Sequence, residues 1–540
     1  MKKKSNPFKI TSLFRAVLDR VSDQIKNLEL FYNISKHNKQ YFKEFEKYSN
    51  KKNKDVIFVE LYGDSSGLVA FSYLANLLAK KHAARIIPVT VLFRTNKFHR
   101  FAHYIAEKFS LSNYLIYKSF NCKKFIRVLP ELKIKPEIHI KDKNEILKLK
   151  YKNVLVGDLI YDSYLRYNSI ATIDINDIHF KNFLTHCYAS FDSVYELCNK
   201  YNVKASISSH TVYLGAFIGR LVAKMGGENY CSGITHIVKL TDKEFILHKY
   251  EDYKNNFKTF SEEKQKICLE KAKKLILDKV SGKESSNMEN LKFSPFGSGI
   301  DSVAKNTSTE KLIKESKKIK VLIASHCFSD SPHAFGNWYF SDFTEWLKYL
   351  GEISNETDYD WYLKPHPNNV NNNKDFIENF LNKYKKIKLI PITTSHHDLK
   401  NKIDFVVTVW GNIAMDFAAL NINVINTITN GRFTSFNFNI NPKTFQEYDH
   451  LLRSLSEDKK IKIDQNELYR CFYMHNIEYG PNIFVKDYVN TIRKLGWENK
   501  NKGIFFKSWL SQINREKHYS LINKIYEFIN TKHSSLKKMK

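Results

Sequence analysis

The 540-residue chain reads as an α/β protein of two doubly wound domains in series, with extra helices at its termini. Three observations predict this. Apolar, β-rich runs of strand length alternate with segments of helical periodicity, the pattern of a parallel sheet with crossover helices. The alternation stops at a polar stretch, Ser281 to about Lys318, and then restarts. The length exceeds what one compact core accommodates, and a hydrophobic fraction of 43% is enough to bury two.

Residues 1–54 read as a charged helical segment. The run Val56 to Tyr62 has the length and composition of a buried strand, Gly63 to Gly67 forms a turn, and Leu68 to Lys81 has helical periodicity. Ile86 to Phe93 is a second strand, followed by a helix near 98–109. Short strands are expected near Asn153–Val156, Ala205–Ser208 and Ile234–Leu240, and a helix over 262–280. Gly226 and Gly227 are suited to ending the helix before them. The second half predicts strands at Ile319–Ser325, Asp360–Lys364, Ile387–Pro391, Phe405–Val409 and Asn423–Thr427. Helices fill the gaps, and a basic helical tail covers 505–537. The domains are therefore set at 55–290 and 319–500, with a linker at 291–318 and a tail at 501–540.

Basic residues outnumber acidic ones by 86 to 56, a formal charge of +30. That excess suits a polyanion such as an anionic membrane surface or an acidic glycan. The abundance of Lys alongside Asn, Ile and Tyr is equally what a compositional bias produces on solvated faces. Seven cysteines without C-x-x-C spacing argue against a disulfide scaffold or a zinc ribbon and fit a reducing cytoplasm. The first residues lack the apolar core of a signal peptide. No apolar run reaches the roughly 18 residues of a membrane span. Membrane contact would then be peripheral at the inner membrane, with Phe8–Val21 as a basic amphipathic helix or simply a surface helix.

Ligands of open α/β sheets bind beyond the carboxyl ends of the strands. In the second half these ends carry Ser325 and His326, then Lys364, Pro365, His366 and Pro367, then Thr393 to His396, then Thr408, Trp410, Gly411 and Asn412. Hydroxyls, imidazoles and one ammonium suit a phosphate ester. A helix starting near Asn412 would turn its free N–H groups toward the anion, and Gly411 permits close backbone approach. A histidine between two prolines is also an ordinary way to end a strand.

The segments Trp361–Pro367 and Ile403–Leu420, with Ser325–His333, Asp342 and Trp346, resemble the C-terminal half of bacterial capsular polysaccharide biosynthesis proteins. The K-P-H-P and T-x-W-G-N patterns are similar to motifs of Kdo transferases, sialyltransferases and polyol-phosphate polymerases. The resemblance implies a GT-B glycosyltransferase, with two Rossmann-like domains facing a central cleft. It implies that His366 and Pro367, and with them Lys364, contact the nucleotide of a CMP- or CDP-activated donor. Thr408 and Asn412 stand where those families carry a hydroxyl pair against the donor phosphate. A CMP-sugar of the Kdo type is the favoured donor, and a glycan or lipid-linked acceptor the partner.

For the first half, Asp158 follows a predicted strand and is the expected general base, with Asp162 and Glu228 in reserve. Asp158 reads equally as a helix cap. Asp64, Ser65, Arg166 and His210 are the expected acceptor contacts, although Asp64 and Ser65 also suit a helix cap and Arg166 a solvated surface. There is no P-loop, H-E-x-x-H or D-x-D pattern, so no tightly bound cofactor or catalytic metal is expected. Three alternatives stay open: a CDP-polyol phosphotransferase, a catalytically inactive scaffold, and a nucleic-acid binder. The even spread of Lys along the chain disfavours the last.

Overall fold

The protein was analysed as a computed structural model. It describes residues 25, 28–49, 54–61, 65–91, 118–122, 125–130, 138–245, 251–281, 313, 315–336, 338–366, 373–427, 433–478, 483–485 and 503–536. The expected helices near Phe8–Val21 and 98–109, most of the linker 291–318, and the candidates Asp64 and Pro367 lie outside these residues.

The first sheet contains β1 (Asp55–Glu60), β2 (Arg85–Val91), β3 (Ile126–Val128), β6 (Asn202–Ser208), β7 (Glu228–Gly233) and β8 (His236–Leu240). Its order is β3-β2-β1-β6-β7-β8. All pairs are parallel except β7 with β8. The apolar run that predicted β1 is buried from Val56 to Val59. Buried on both faces, such a strand reads as continuous rather than alternating hydrophobicity. The strand expected at Asn153–Val156 takes a different form. Val154–Leu155 (β5) pairs antiparallel with Lys150–Tyr151 (β4) as a separate hairpin. The segment expected at Ile234–Leu240 forms β8, which returns antiparallel because only a two-residue turn separates it from β7.

The second sheet contains β9 (Lys320–Ala324), β10 (Asp360–Lys364), β11 (Ile387–Leu389), β12 (Phe405–Thr408) and β13 (Asn423–Asn426). Its order is β11-β10-β9-β12-β13, parallel throughout. Numbered within each domain, both sheets begin 3-2-1-4-5, the doubly wound order of a Rossmann-like domain. In each, the order reverses beside the first strand, between β1 and β6 and between β9 and β12.

The helices that matter below are α1 (Leu28–Tyr41), α2 (Ser65–His82), α3 (Gly157–Asn168), α4 (Ile178–Lys200), α5 (Phe217–Lys224), α6 (Glu262–Val280), α7 (Phe343–Glu356), α8 (Asn373–Lys383), α9 (Ile413–Ala419), α10 (Phe445–Arg453), α11 (Gln465–Tyr473), α12 (Gly503–Gln512) and α13 (Arg515–Asn530). Side-chain oxygens start several of them: Asp177 caps α4, Ser261 caps α6, Asp342 caps α7 and Asn514 caps α13.

The chain crosses between domains twice. The buried face of α6, with Cys268, Ala272 and Ile276, belongs to the same core as β9 to β13. The sequence span assigned to the first domain thus ends in a helix packed on the second. The tail returns: α13 buries Leu521, Ile522, Ile525, Phe528 and Ile529 in the core around α2 and β1.

Candidate functional site

The carboxyl edges of the two sheets meet. The segment after β9, Ser325 to Asp342, reaches the segment after β6 and the helix α3. Tyr213 donates its hydroxyl to Asp330 Oδ1 at 3.2 Å, and Arg166 lies 3.9 Å from the same oxygen. Deeper in, His333 Nδ1 stands 2.6 Å from Asp162 Oδ1, with both side chains buried. The Asp342 carboxylate caps α7 through Oδ1, while Oδ2 accepts from Tyr161 at 2.6 Å and Thr172 at 2.5 Å. Burial alone would raise the Asp342 carboxyl, but Lys143 at 3.7 Å and the surrounding hydroxyls outweigh it and hold it below the ordinary range. Burial likewise opposes a charged His333, yet the Asp162 carboxylate prevails and keeps the imidazole above its usual value.

On the second domain's edge, adjacent strand ends supply one polar row. Ser325 N–H donates to Lys364 O at 3.1 Å, so β9 and β10 stay paired to their last residues. Thr408 Oγ1 lies 3.3 Å from both Ala324 O and His326 Nε2. Val409 N–H also donates to His326 Nε2 at 3.3 Å, which makes that nitrogen the acceptor and assigns the proton of a neutral ring to Nδ1. The ring stacks on Phe343 with centroids 4.6 Å apart. Gly411 closes the group: a Cβ there would meet Thr408 Oγ1 at 3.4 Å and His326 Cε1 at 3.6 Å. Trp410 packs against Phe335, Trp338 and Phe343, so its indole serves the wall of the site. Asn412 opens α9 without a side-chain cap bond, and His366 is half-buried beyond the end of β10.

Lys364 is the unusual member. It is buried, its ammonium donates to Ile392 O at 2.9 Å, and among the described residues no carboxylate pairs with it. Burial pushes its pKa down to about 8. Ser325 Oγ and Thr394 Oγ1, at the ends of the strands on either side, are buried and make no hydrogen bond. Buried polar groups are normally satisfied. A cation and two hydroxyls left over on one sheet edge have the donor set of an anion site. Lys279, by contrast, is neutralised by Asp416 at 2.5 Å.

The first domain's carboxylates are mostly engaged. Asp158 accepts a bidentate pair from Arg220 at 2.8 and 2.6 Å, and Arg220 also donates to Leu155 O at 3.0 Å. It follows the hairpin rather than a strand of the main sheet, and its partner Arg220 also reaches Thr211 O, three residues beyond β6, at 3.4 Å. Asp162 is taken by His333. Glu228 begins β7 and so lies at the opposite, amino-terminal edge, within 3 Å of Lys81, His82 and Lys239. Burial would raise its carboxyl, but the hydrogen bonds from His82, Lys239 and Lys81 hold it far below the carboxylate range.

A different carboxylate stands at the carboxyl edge. Glu60 is the last residue of β1, beside the reversal point, and is half-buried. Its Oε2 accepts from Ser209 N–H at 2.6 Å and Ser209 Oγ at 2.7 Å. Ser209 Oγ lies 2.7 Å from His210 Nδ1. The single serine proton goes to the carboxylate, so His210 Nδ1 is the donor to Ser209. Gly215 leaves room for this arrangement, because a Cβ there would sit 2.9 Å from Glu60 Oε1. A carboxylate within an otherwise apolar run was the available signal for Glu60. Ser65 begins α2 near the same edge. Arg220 had no comparable sequence signal, and although His333 ends a segment that carries the resemblance, its pairing with Asp162 is set by a partner distant in the chain. Among the described residues, no three His, Cys, Asp or Glu side chains gather as a metal site.

Neither a family model nor a curated protein matches the chain. Among solved structures it is similar to a β-Kdo 2,7-transferase, KpsC of Thermosulfurimonas dismutans, at 13% identity, TM-score 0.29, covering 52% of this chain and 79% of that one. It is also similar to a glycosyltransferase of Rickettsia africae ESF-5, at 12% identity, TM-score 0.24, covering 87% and 99%. A third is the UDP-GlcNAc 2-epimerase of Methanocaldococcus jannaschii, at 11% identity, TM-score 0.23, covering 77% and 97%. The functional reading rests on the residues of this chain.

Proposed function

We propose that the chain is a glycosyltransferase of surface-polysaccharide synthesis, in capsule or lipopolysaccharide, that uses a nucleotide-activated sugar. The observation that carries this is the buried Lys364 ammonium without a counter-charge, flanked by the unsatisfied hydroxyls of Ser325 and Thr394. A donor diphosphate or phosphate would supply the missing acceptors. The K-P-H-P motif favours a CMP-sugar of the Kdo type, with His366 and Pro367 against the nucleotide. Thr408, Gly411 and Asn412 would line the phosphate.

We assign the general base to Glu60 in place of Asp158. The acceptor hydroxyl gives its proton to the carboxylate as its oxygen bonds the anomeric carbon. The bond from that carbon to the donor phosphate breaks, and the phosphate leaves with the electron pair. Lys364, the hydroxyls and His366 then stabilise the charge where it develops. His210 and Arg166 are left as acceptor contacts near the junction of the two edges. The acceptor is a glycan or lipid-linked sugar.

Release of CMP from a CMP-Kdo donor on addition of a glycan acceptor tests the reading, with His366→Ala as the comparison. Turnover that falls in the variant supports it. Turnover of CDP-glycerol instead would assign a polyol-phosphate transferase, and inertness toward both would overturn the enzymatic reading.

A further inference from the structure

Helix α1 has two opposed faces. Leu30, Ile34, His37 and Asn38 are buried against the first domain and the tail. On the other side Leu28 and Tyr32 are 63% and 68% exposed, and Lys36 and Lys39 are exposed too. The steps from 28 to 32, 36 and 39 are four, four and three residues, so these four side chains follow one face of the helix, which the exposed Glu29 shares. Scattered exposed apolar residues are ordinary. Two large ones one turn apart, opposite the core face and continued by two lysines, give the helix an amphipathic outer face. Glu29 is the one acidic residue in Leu28–Tyr41.

We infer that this face docks on an anionic lipid surface. Interfacial helices combine these two features: an apolar half that enters the acyl boundary and lysines that reach the phosphates. The charge of +30 favours that surface over a second copy of an equally basic chain. Among the described residues no helix is long and apolar enough to cross a membrane, so α1 would attach by lying flat. The inference goes beyond the donor chemistry and does not depend on it.

Flotation of the full chain with phosphatidylcholine vesicles, with and without phosphatidylglycerol, tests the inference. The wild type is expected to float with the anionic vesicles only, and less at high salt. Leu28→Glu with Tyr32→Ser, and separately Lys36→Glu with Lys39→Glu, should each lower the bound fraction about tenfold or more. All four positions are exposed, so the melting temperature should not move; if the first pair disturbs folding, the lysine pair decides alone. Failure of the wild type to float, or equal binding by folded variants, overturns the inference. So does a variant that loses self-association in sedimentation while still binding vesicles, which would assign the face to a second copy.

Discussion

The two sheets share a strand order, and their carboxyl edges are armed in opposite ways. The second domain's edge carries an ammonium that no carboxylate pairs with among the described residues, and two hydroxyls without a hydrogen-bond partner. Of the four first-domain carboxylates weighed above, three are already committed, Asp158 to Arg220, Asp162 to His333 and, at the far edge, Glu228 to a basic cluster. Only Glu60 is held by hydroxyl and amide donors alone. Closeness to a strand end selects the polar row of the second domain, whereas among the carboxylates it selects Asp158, which Arg220 already holds. Pairing decides which of them is free to act.

The comparison breaks most visibly at the carboxylates. Glu60→Gln should lower turnover by about two to four orders of magnitude while leaving nucleotide affinity and melting temperature close to wild type. Asp158→Asn should do the reverse. It leaves the buried Arg220 without its partner, at a cost of about 3–5 kcal/mol, and calorimetric melting would read the loss. An Asp158→Asn protein that is stable but inactive would restore Asp158 as the base. Asp162→Asn tests the junction in the same way: the buried His333 loses its carboxylate, and a comparable drop in stability is expected.

A smaller effect sharpens the donor side. Lys364 is charged below its pKa of about 8 and neutral above it. A bound phosphate favours the ammonium, so affinity is fully present at neutral pH and declines as pH rises through that value, by about tenfold per unit. Nucleotide titrations at several pH values read the slope. The smallest expected effect is at Gly215→Ala, where a methyl would press on the Glu60 carboxylate. Turnover should fall with little change in donor affinity.

Much of the fold was legible because its central strands are continuous apolar runs. β1, β2, β9, β10, β12 and β13 announce themselves by composition. β7 does not, since Glu228, Asn229 and Ser232 give it a polar sequence although Asn229 and Ser232 are buried. Val154–Leu155 looked like a sheet strand because a two-residue apolar segment carries no information about its partner. The donor edge was legible because its residues follow strands directly. The junction between domains was not: Asp162 with His333 and Asp342 with Tyr161 are separated by well over a hundred residues, and nothing local marks either pair. Glu60 was hidden because the apolar run continues through Leu61 and Tyr62, which set the expected strand end two residues beyond the observed one.

The most direct measurement is calorimetric titration of the wild type with CMP, CDP, UDP and GDP, repeated on Lys364→Met and Glu60→Gln. The account predicts selective cytidine-nucleotide binding, lost in Lys364→Met and kept in Glu60→Gln. Binding that survives the loss of the Lys364 ammonium, or no binding to any of the four, would contradict it.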